Sequence, residues 1–277
     1  MIKREIKKLL GNYRHFLELS ELNKNTIIKY ISDVNKFLLY IQFSNEVNKD
    51  MLISYKNHLL YNYKISSVNS YIISLNKFFN WLKRDDLKLK TERIQKKTSL
   101  ENIISFEQYT KLLQYLENKG KEKDYLLIKT IAMTGIRIGE LRYITYESII
   151  KGHVSIMHKK RTRTIYLPEY LCDILQIYCN NHDINSGIIF YGRNKNKPLD
   201  TSGIWRKMKR TAHNANIPEE VVYPHSFRHL FAKTYMDKIG NISELADILG
   251  HSSIEITRIY TLTSSIEKRR ALDSLGL

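Results

Sequence analysis

YPHSFRHL, residues 223–230, sets two histidines and an arginine within five positions directly behind a proline. The segment reads as a helix starting near His225, just after Pro224, with Phe227, Leu230, Phe231 and Tyr235 on one arc facing the core. His225 and Arg228 are three apart, so both project near the helix start, at the edge of that face. Unpaired N–H groups and the positive end of the helix dipole favour an anion there. A guanidinium adds a planar fork matched to two phosphate oxygens, and an imidazole beside it exchanges a proton near neutral pH. His229 falls elsewhere on this wheel and is read as structural. The pattern suits a phosphate group that undergoes chemistry.

Two further segments share this character. TGIRIGELRYI, residues 134–144, ends a helix at Gly135, a left-handed C-terminal cap, and places Arg137 where the next helix begins. LADILGHSSIEITRIYT, residues 245–261, ends a helix at Gly250, sets His251 directly behind it and opens another at Ser252 or Ser253. Tyr260 follows nine residues after His251. Singly, each has an ordinary explanation: a surface charge, a capping imidazole, one of 19 tyrosines. Two arginines, two histidines and a tyrosine, all at breaks between helices, form a set.

Around these segments the chain divides in two. Residues 23–41 offer Asn25 or Thr26 as an N-cap, then Ile27, Ile28, Ile31, Val34, Phe37, Leu38 and Ile41 at helical spacing. Residues 66–86 repeat the form, with Ser66 or Ser67 capping and Val68, Tyr71, Ile72, Leu75, Phe78, Phe79 and Leu82 on one face. DMLISYKNHLLYN supplies a helix between them, so residues 1–88 are expected to be an all-helical bundle. KRDDLKLKTERIQKK, residues 83–97, carries ten charged residues and little apolar periodicity, and reads as a solvated linker. The boundaries set the linker at 89–99 and a second domain at 100–277. That second part changes period: Val154, Ile156 and His158 alternate, a basic turn follows, and Ile165 and Leu167 alternate again, a hairpin. GIIFYG, residues 187–192, offers a third short strand, and helices resume at residue 201. The predicted fold class is mainly α with a small β-hairpin.

Charge narrows the partner. The 277 residues carry 45 Lys and Arg against 28 acids, a formal +17. There are 16 basic and 8 acidic residues up to Lys90, and 29 and 20 after it, so both halves are basic. Nucleic acid long enough to touch both is the expected partner. No apolar run approaches a membrane span, and the basic start lacks the apolar core of a signal peptide. Cys172 and Cys179 read as reduced thiols in a cytoplasmic protein.

The motifs TGIRIGEL, the hairpin with Lys159 and Lys160, HSFRH at 225–229, LGHSSI and RIYT come in an order and spacing that resembles the tyrosine recombinases, the phage-integrase-type site-specific recombinases, and most of all their short Xer-type members. The resemblance spans the chain, since the first ninety residues look like that family's helical core-binding domain. It implies an N-terminal helical DNA-binding domain and a C-terminal α+β catalytic domain. It implies that Tyr260 attacks the scissile DNA phosphate, leaving a 3′-phosphotyrosine and a free 5′-hydroxyl. Arg137 and Arg228 would neutralise charge on the pentacoordinate phosphorus, His251 would hydrogen-bond the same phosphate, and His225 would help move the tyrosine proton. A hairpin lysine would protonate the leaving oxygen. The family's turn often reads glycine-lysine-glycine, whereas MHKKRTR has no glycine, so Lys159 or Lys160 fits, Lys159 first. Glu140 matches an acidic position of the family, one turn from Arg137. No metal, ATP or other cofactor is implied. The last residues, with Ile266, Ala271, Leu272, Leu275 and Leu277 as an apolar stripe, would dock on a neighbouring copy and assemble a tetramer on two double-stranded DNA sites. The competing readings are a type IB topoisomerase-like enzyme, a catalytically inactive DNA-binding relative, and a metal nuclease built on His225, His229 and His251.

Overall fold

A computed structural model of the chain describes residues 2–42, 47–94, 102–158, 161–192, 194, 197–251, 253–261 and 273. The chain forms two compact units, Met1–Lys96 and Lys97–Leu277.

The first unit is four helices: α1 (Ile2–Leu19), α2 (Lys24–Tyr40), α3 (Lys49–Asn62) and α4 (Ile65–Trp81). The apolar stripes turn inward as their spacing predicts. Ile27, Val34, Phe37 and Leu38 of α2 and Val68, Ile72, Leu75, Phe78 and Phe79 of α4 are buried around Tyr13, Leu17, Leu52 and Tyr55. Tyr13 meets Phe78 edge-on, with ring centroids 5.0 Å apart, and removing such a ring costs about 3–5 kcal/mol. The caps differ from the sequence reading. The side chain of Asn23 caps α2 by accepting from Asn25 N, and α4 starts at Ile65 behind Lys64 with no side-chain cap. Both helices therefore begin one or more residues before the predicted polar caps, with mostly exposed first turns ahead of the first buried residues, Ile27 and Val68.

The segment from Lys83, read as a solvated linker, exposes most of its charges but is anchored to the bundle at two leucines. Asp85–Leu87 forms a 3-10 turn, and Leu87 and Leu89 are buried in the bundle core. Asn76 brackets Leu89, donating to its carbonyl and accepting from its N–H, both at 2.8 Å. Asn69, two turns earlier on α4, brackets Glu92 in the same way at 2.8 and 2.7 Å. Two amide side chains thus hydrogen-bond an extended segment to a helix, as a strand would, and Lys56 pairs with Glu92. Two leucines spaced two apart amid ten charges carry no helical period, which is why the sequence suggested solvent.

The second unit opens with α5 (Phe106–Asn118), started by a reciprocal Ser105–Gln108 capping box, and α6 (Glu122–Thr134). A six-residue 3-10 turn, Ile138–Tyr143, leads to α7 (Tyr146–Lys151). The hairpin follows: β1 (His153–His158) pairs antiparallel with β2 (Arg161–Tyr166), in a register running from His153 opposite Tyr166 to His158 opposite Arg161. Lys159 and Lys160 fall between the strands and lie outside the described residues. Beyond come α8 (Glu169–Asn181), α9 (Thr201–Asn214), α10 (Pro224–Lys238), α11 (Ile242–Leu249) and α12 (Ile254–Thr257). GIIFYG does not form the third strand expected of it. Thr145 with Ile188 and Tyr191 with Pro198 make only isolated bridges, while Ile189 and Phe190 bury their side chains. Apolar content holds this run in the core without a partner strand to pair along.

α10 begins at Pro224 and packs against α6. Gly135 ends α6 at φ 60°, and a Cβ there would stand 2.6 Å from Phe231 and 2.8 Å from Leu249. Only glycine combines that backbone with that approach. The apolar stripe of Ile266, Ala271, Leu272, Leu275 and Leu277 lies outside the described residues. Among the described residues no helix is long and apolar enough to cross a membrane, and no three His, Cys, Asp or Glu side chains group to hold a metal ion. Cys172 and Cys179 are free thiols.

Candidate active site

The end of α11 organises the site. Arg163 donates through Nε and Nη2 to the carbonyl of Ile248 at 3.1 and 2.9 Å. Arg228 Nη2 donates to Leu249 O at 2.6 Å, and Arg137 Nη2 to Gly250 O at 2.9 Å. Three successive carbonyls each hold a different guanidinium. Terminal carbonyls of a helix have no partner inside it and carry the negative end of its dipole, so cations settle there. Arg228 also reaches the end of α6 through Nη1, which donates to Gly135 O at 2.5 Å. One buried arginine, 3% exposed, therefore ties two glycine-capped helix ends together.

Glu140 is the counter-charge. Its Oε2 accepts from Arg137 N at 2.9 Å and from Arg163 Nη1 at 2.7 Å, and its Oε1 from Arg137 Nη1 at 3.1 Å. Burial alone would raise this carboxyl, yet Arg163 and Arg137 hold it below the ordinary range, so it is ionised. Three guanidiniums thus face one carboxylate, and a net positive charge is held in place by carbonyl dipoles. Arginines carry five N–H groups each, and Arg137 and Arg228 each commit only part of theirs. Arg137, with a side chain 39% exposed, presents its remaining donors to solvent. The arrangement is preorganised for an oxyanion.

Tyr260 sits beside it, on the 3-10 turn Arg258–Thr261, 9% exposed and packed on Ala232, Leu245 and Leu249. Its hydroxyl lies 2.6 Å from His229 Nδ1. Burial raises the phenol to about 12 against the pull of Arg228, and burial with His225 and Arg228 pushes His229 down to about 4. At neutral pH a protonated phenol therefore donates to a neutral imidazole. The sequence reading gave this contact to His225 and held His229 to be structural. Residues four apart share a helix face, so His229 lies one turn below His225, with ring centroids 6.4 Å apart. His225 is exposed at the start of α10, and partial desolvation with Arg228 and Arg137 lowers its imidazole from the ordinary value.

His251 follows Gly250, as expected, and its Nδ1 lies 2.8 Å from Thr257 Oγ1, whose side chain is fully buried. Burial and three arginines push this ring down to about 4. Arg137, Arg228, His251 and Tyr260 are thus brought together around one helix end, with His225 at the rim. Arg163, His229 and Thr257 are additions that the sequence reading did not include. Ser253 caps α12, while Ser252 lies outside the described residues.

Gly250 is the pivot of this arrangement. It has φ 61°, and a Cβ on it would stand 2.4 Å from Arg163 Cδ and 2.9 Å from Nε. Gly250→Ala is expected to lose about 1–2 kcal/mol from the left-handed backbone alone, with more from displacing Arg163, and a thermal melt reads the loss as a lower midpoint.

A helical bundle followed by a mixed α+β unit with an arginine-lined helix end is the architecture, and sequence comparison gives the family. The phage integrase family profile matches residues 102–265, and the phage integrase N-terminal SAM-like domain matches residues 11–86. The chain belongs to the phage integrase family. Tyrosine recombinase XerA of Pyrococcus furiosus is 28% identical over 278 residues, covering 98% of this chain and 94% of the relative. Tyrosine recombinase XerD of Staphylococcus haemolyticus is 25% identical over 287 residues, covering 95% and 96%. The fold is shared with a lambda integrase dimer bound to a COC′ core site, at a TM-score of 0.73, 16% identity, and coverage of 92% of this chain and 94% of that one. It is shared too with the Tn1549 transposon integrase in complex with transposon right end DNA, at a TM-score of 0.72, 17% identity, and coverage of 98% and 99%.

Proposed function

We propose that the chain is a site-specific DNA recombinase that cuts and rejoins strands through a 3′-phosphotyrosine on Tyr260, using neither metal nor ATP. The observation that carries this reading is the Tyr260–His229 pair standing beside guanidiniums fixed on the carbonyls of residues 248–250.

In this reading the scissile phosphate binds the free donors of Arg137 and Arg228. The hydroxyl of Thr257 donates to His251 Nδ1, so the neutral ring keeps its proton on Nε2 and offers it to a phosphate oxygen. As the Tyr260 oxygen bonds to phosphorus, its proton passes to His229 Nδ1, and the phosphorus–O5′ bond breaks. The departing O5′ takes a proton from the hairpin lysine, Lys159 or Lys160. Rejoining runs the same steps backwards with the 5′-hydroxyl of a partner strand, so the energy of the bond is conserved. Without DNA the transfer is uphill, since burial raises the phenol and lowers the imidazole. A bound phosphate beside Arg228 favours a protonated His229 against the burial, His225 and Arg228 that hold it down, which ties cleavage to substrate.

Residues 1–88 serve as a helical DNA-binding domain and 100–277 as the catalytic domain, both basic. Exchange between two duplexes needs two cuts on each, hence four copies, assembled through the apolar stripe near the end of the chain.

The test uses a pool of nicked suicide duplexes of randomised sequence, incubated with the chain in EDTA. The short 5′-hydroxyl fragment diffuses away and traps the covalent complex. An adduct mapped to Tyr260 by mass spectrometry is expected, at the same yield with and without EDTA. No adduct from any duplex, attachment at another residue, or dependence on a divalent cation would overturn the reading. Relaxation of plasmids lacking the selected sequence would indicate a topoisomerase instead.

A further inference from the structure

We propose that Arg163 is a positioning residue of the site, holding Arg137 and the Gly250 turn in the geometry that receives the phosphate. This rests on the function proposed above and extends it to a residue that never touches DNA. The Arg163 side chain is 9% exposed, and all three of its nitrogens are engaged, Nη1 by Glu140 and Nε and Nη2 by Ile248 O. It has little left to offer a ligand, so any effect it has runs through those two partners.

Both partners lead to Arg137. Glu140 is shared between the two arginines: Arg163 occupies Oε2, which leaves Oε1 for a single, longer bond from Arg137 Nη1 at 3.1 Å. A carboxylate facing one arginine alone tends to a bidentate pair, which would draw the Arg137 fork away from solvent and into competition with the phosphate. At the other partner, Arg163 fixes Ile248 O, two residues before the carbonyl that holds Arg137 Nη2. Its Cδ lies so near Gly250 that a single added carbon would collide with it. Arg163 therefore braces the turn from which His251 departs and loosens Glu140 on Arg137 at once. It stands on β2 opposite Ile156, so it also fastens the hairpin to the end of α11.

The experiment is single-turnover cleavage at saturating duplex, using a suicide duplex selected from the randomised pool by the wild-type chain. Arg163→Gln is expected to slow adduct formation about 10- to 100-fold with little change in duplex affinity. Glu140→Gln should slow it comparably, and the double variant should lose less than the product of the two single losses, because part of each acts through the shared carboxylate. Arg163→Lys, which keeps a charge for Glu140 but cannot also span to Ile248, should fall between wild type and Arg163→Gln. A wild-type rate in Arg163→Gln, or losses that multiply in the double variant, would overturn the proposal. Should melting show Arg163→Gln unfolded, Arg163→Lys decides: a wild-type rate there overturns it equally. If the wild-type chain itself forms no Tyr260 adduct, the proposed function fails instead, so the two failures are distinguishable.

Discussion

Tyr260→Phe is expected to abolish covalent attachment to DNA while leaving duplex binding nearly intact. The substitution removes one oxygen and keeps the ring, so the contacts with Ala232, Leu245 and Leu249 survive. What disappears is the proposed nucleophile and the hydroxyl partner of His229. Burial of the pair is only partial for the imidazole, so water can replace the lost partner and the fold should tolerate the change at a cost of about 1 kcal/mol. Binding energy comes from the arginines and from the basic surface of both units, which the change does not touch. Gel electrophoresis under denaturing conditions separates the outcomes: no shifted band from Tyr260→Phe, a shifted band from wild type. An adduct formed by the variant on a nicked suicide duplex would sink the mechanism.

Arg228→Lys should slow cleavage by ~10² or more, although the formal charge is kept. A guanidinium in this position spans two helix ends. It holds Gly135 O and Leu249 O at once, and in the proposed reaction its uncommitted N–H groups turn to the phosphate. A lysine ammonium is a single point with three hydrogens and cannot reach both helix ends. At least one carbonyl then loses its partner in a buried setting, costing about 1–3 kcal/mol of stability. Cleavage suffers more, because the ends of α6 and α11 are free to separate and the phosphate loses a planar, bidentate contact. Single-turnover rates at saturating duplex test this, with a thermal melt alongside. Equal rates would show that guanidinium geometry is irrelevant. A rate loss fully rescued by raising the DNA concentration would move Arg228 from the reaction to simple binding.

Much of this architecture is legible in the sequence because glycine and proline punctuate it. Gly135, Gly250 and Pro224 mark two helix ends and one helix start, and each neighbours a residue of the site. The hairpin is readable from the alternation of Ile156 and Ile165 with polar neighbours. The rest is hidden where one side chain serves an unfamiliar partner. Arg163 is two residues before buried Ile165 on the same strand face, so alternation does place a charge inward, but the basic run RTR conceals it as part of a solvated turn. His229 is one turn from His225 on the same face, a relation that spacing contains and that the wheel reading passed over. Leu87 and Leu89 alternate as a strand does, but the backbone of Leu89 meets the side chain of Asn76, and no sequence pattern announces a helix acting as a sheet edge.

The carbonyls of residues 248–250 come late in the chain, whereas the guanidiniums that need them come from 137, 163 and 228. During synthesis, then, the arginines emerge first and stay unassembled until the last turn of α11 winds and stops at Gly250. A chain not yet extended to residue 248 has the three guanidiniums but not the carbonyls that fix them. The order of the parts thereby makes the proposed site one of the last features of the fold to assemble.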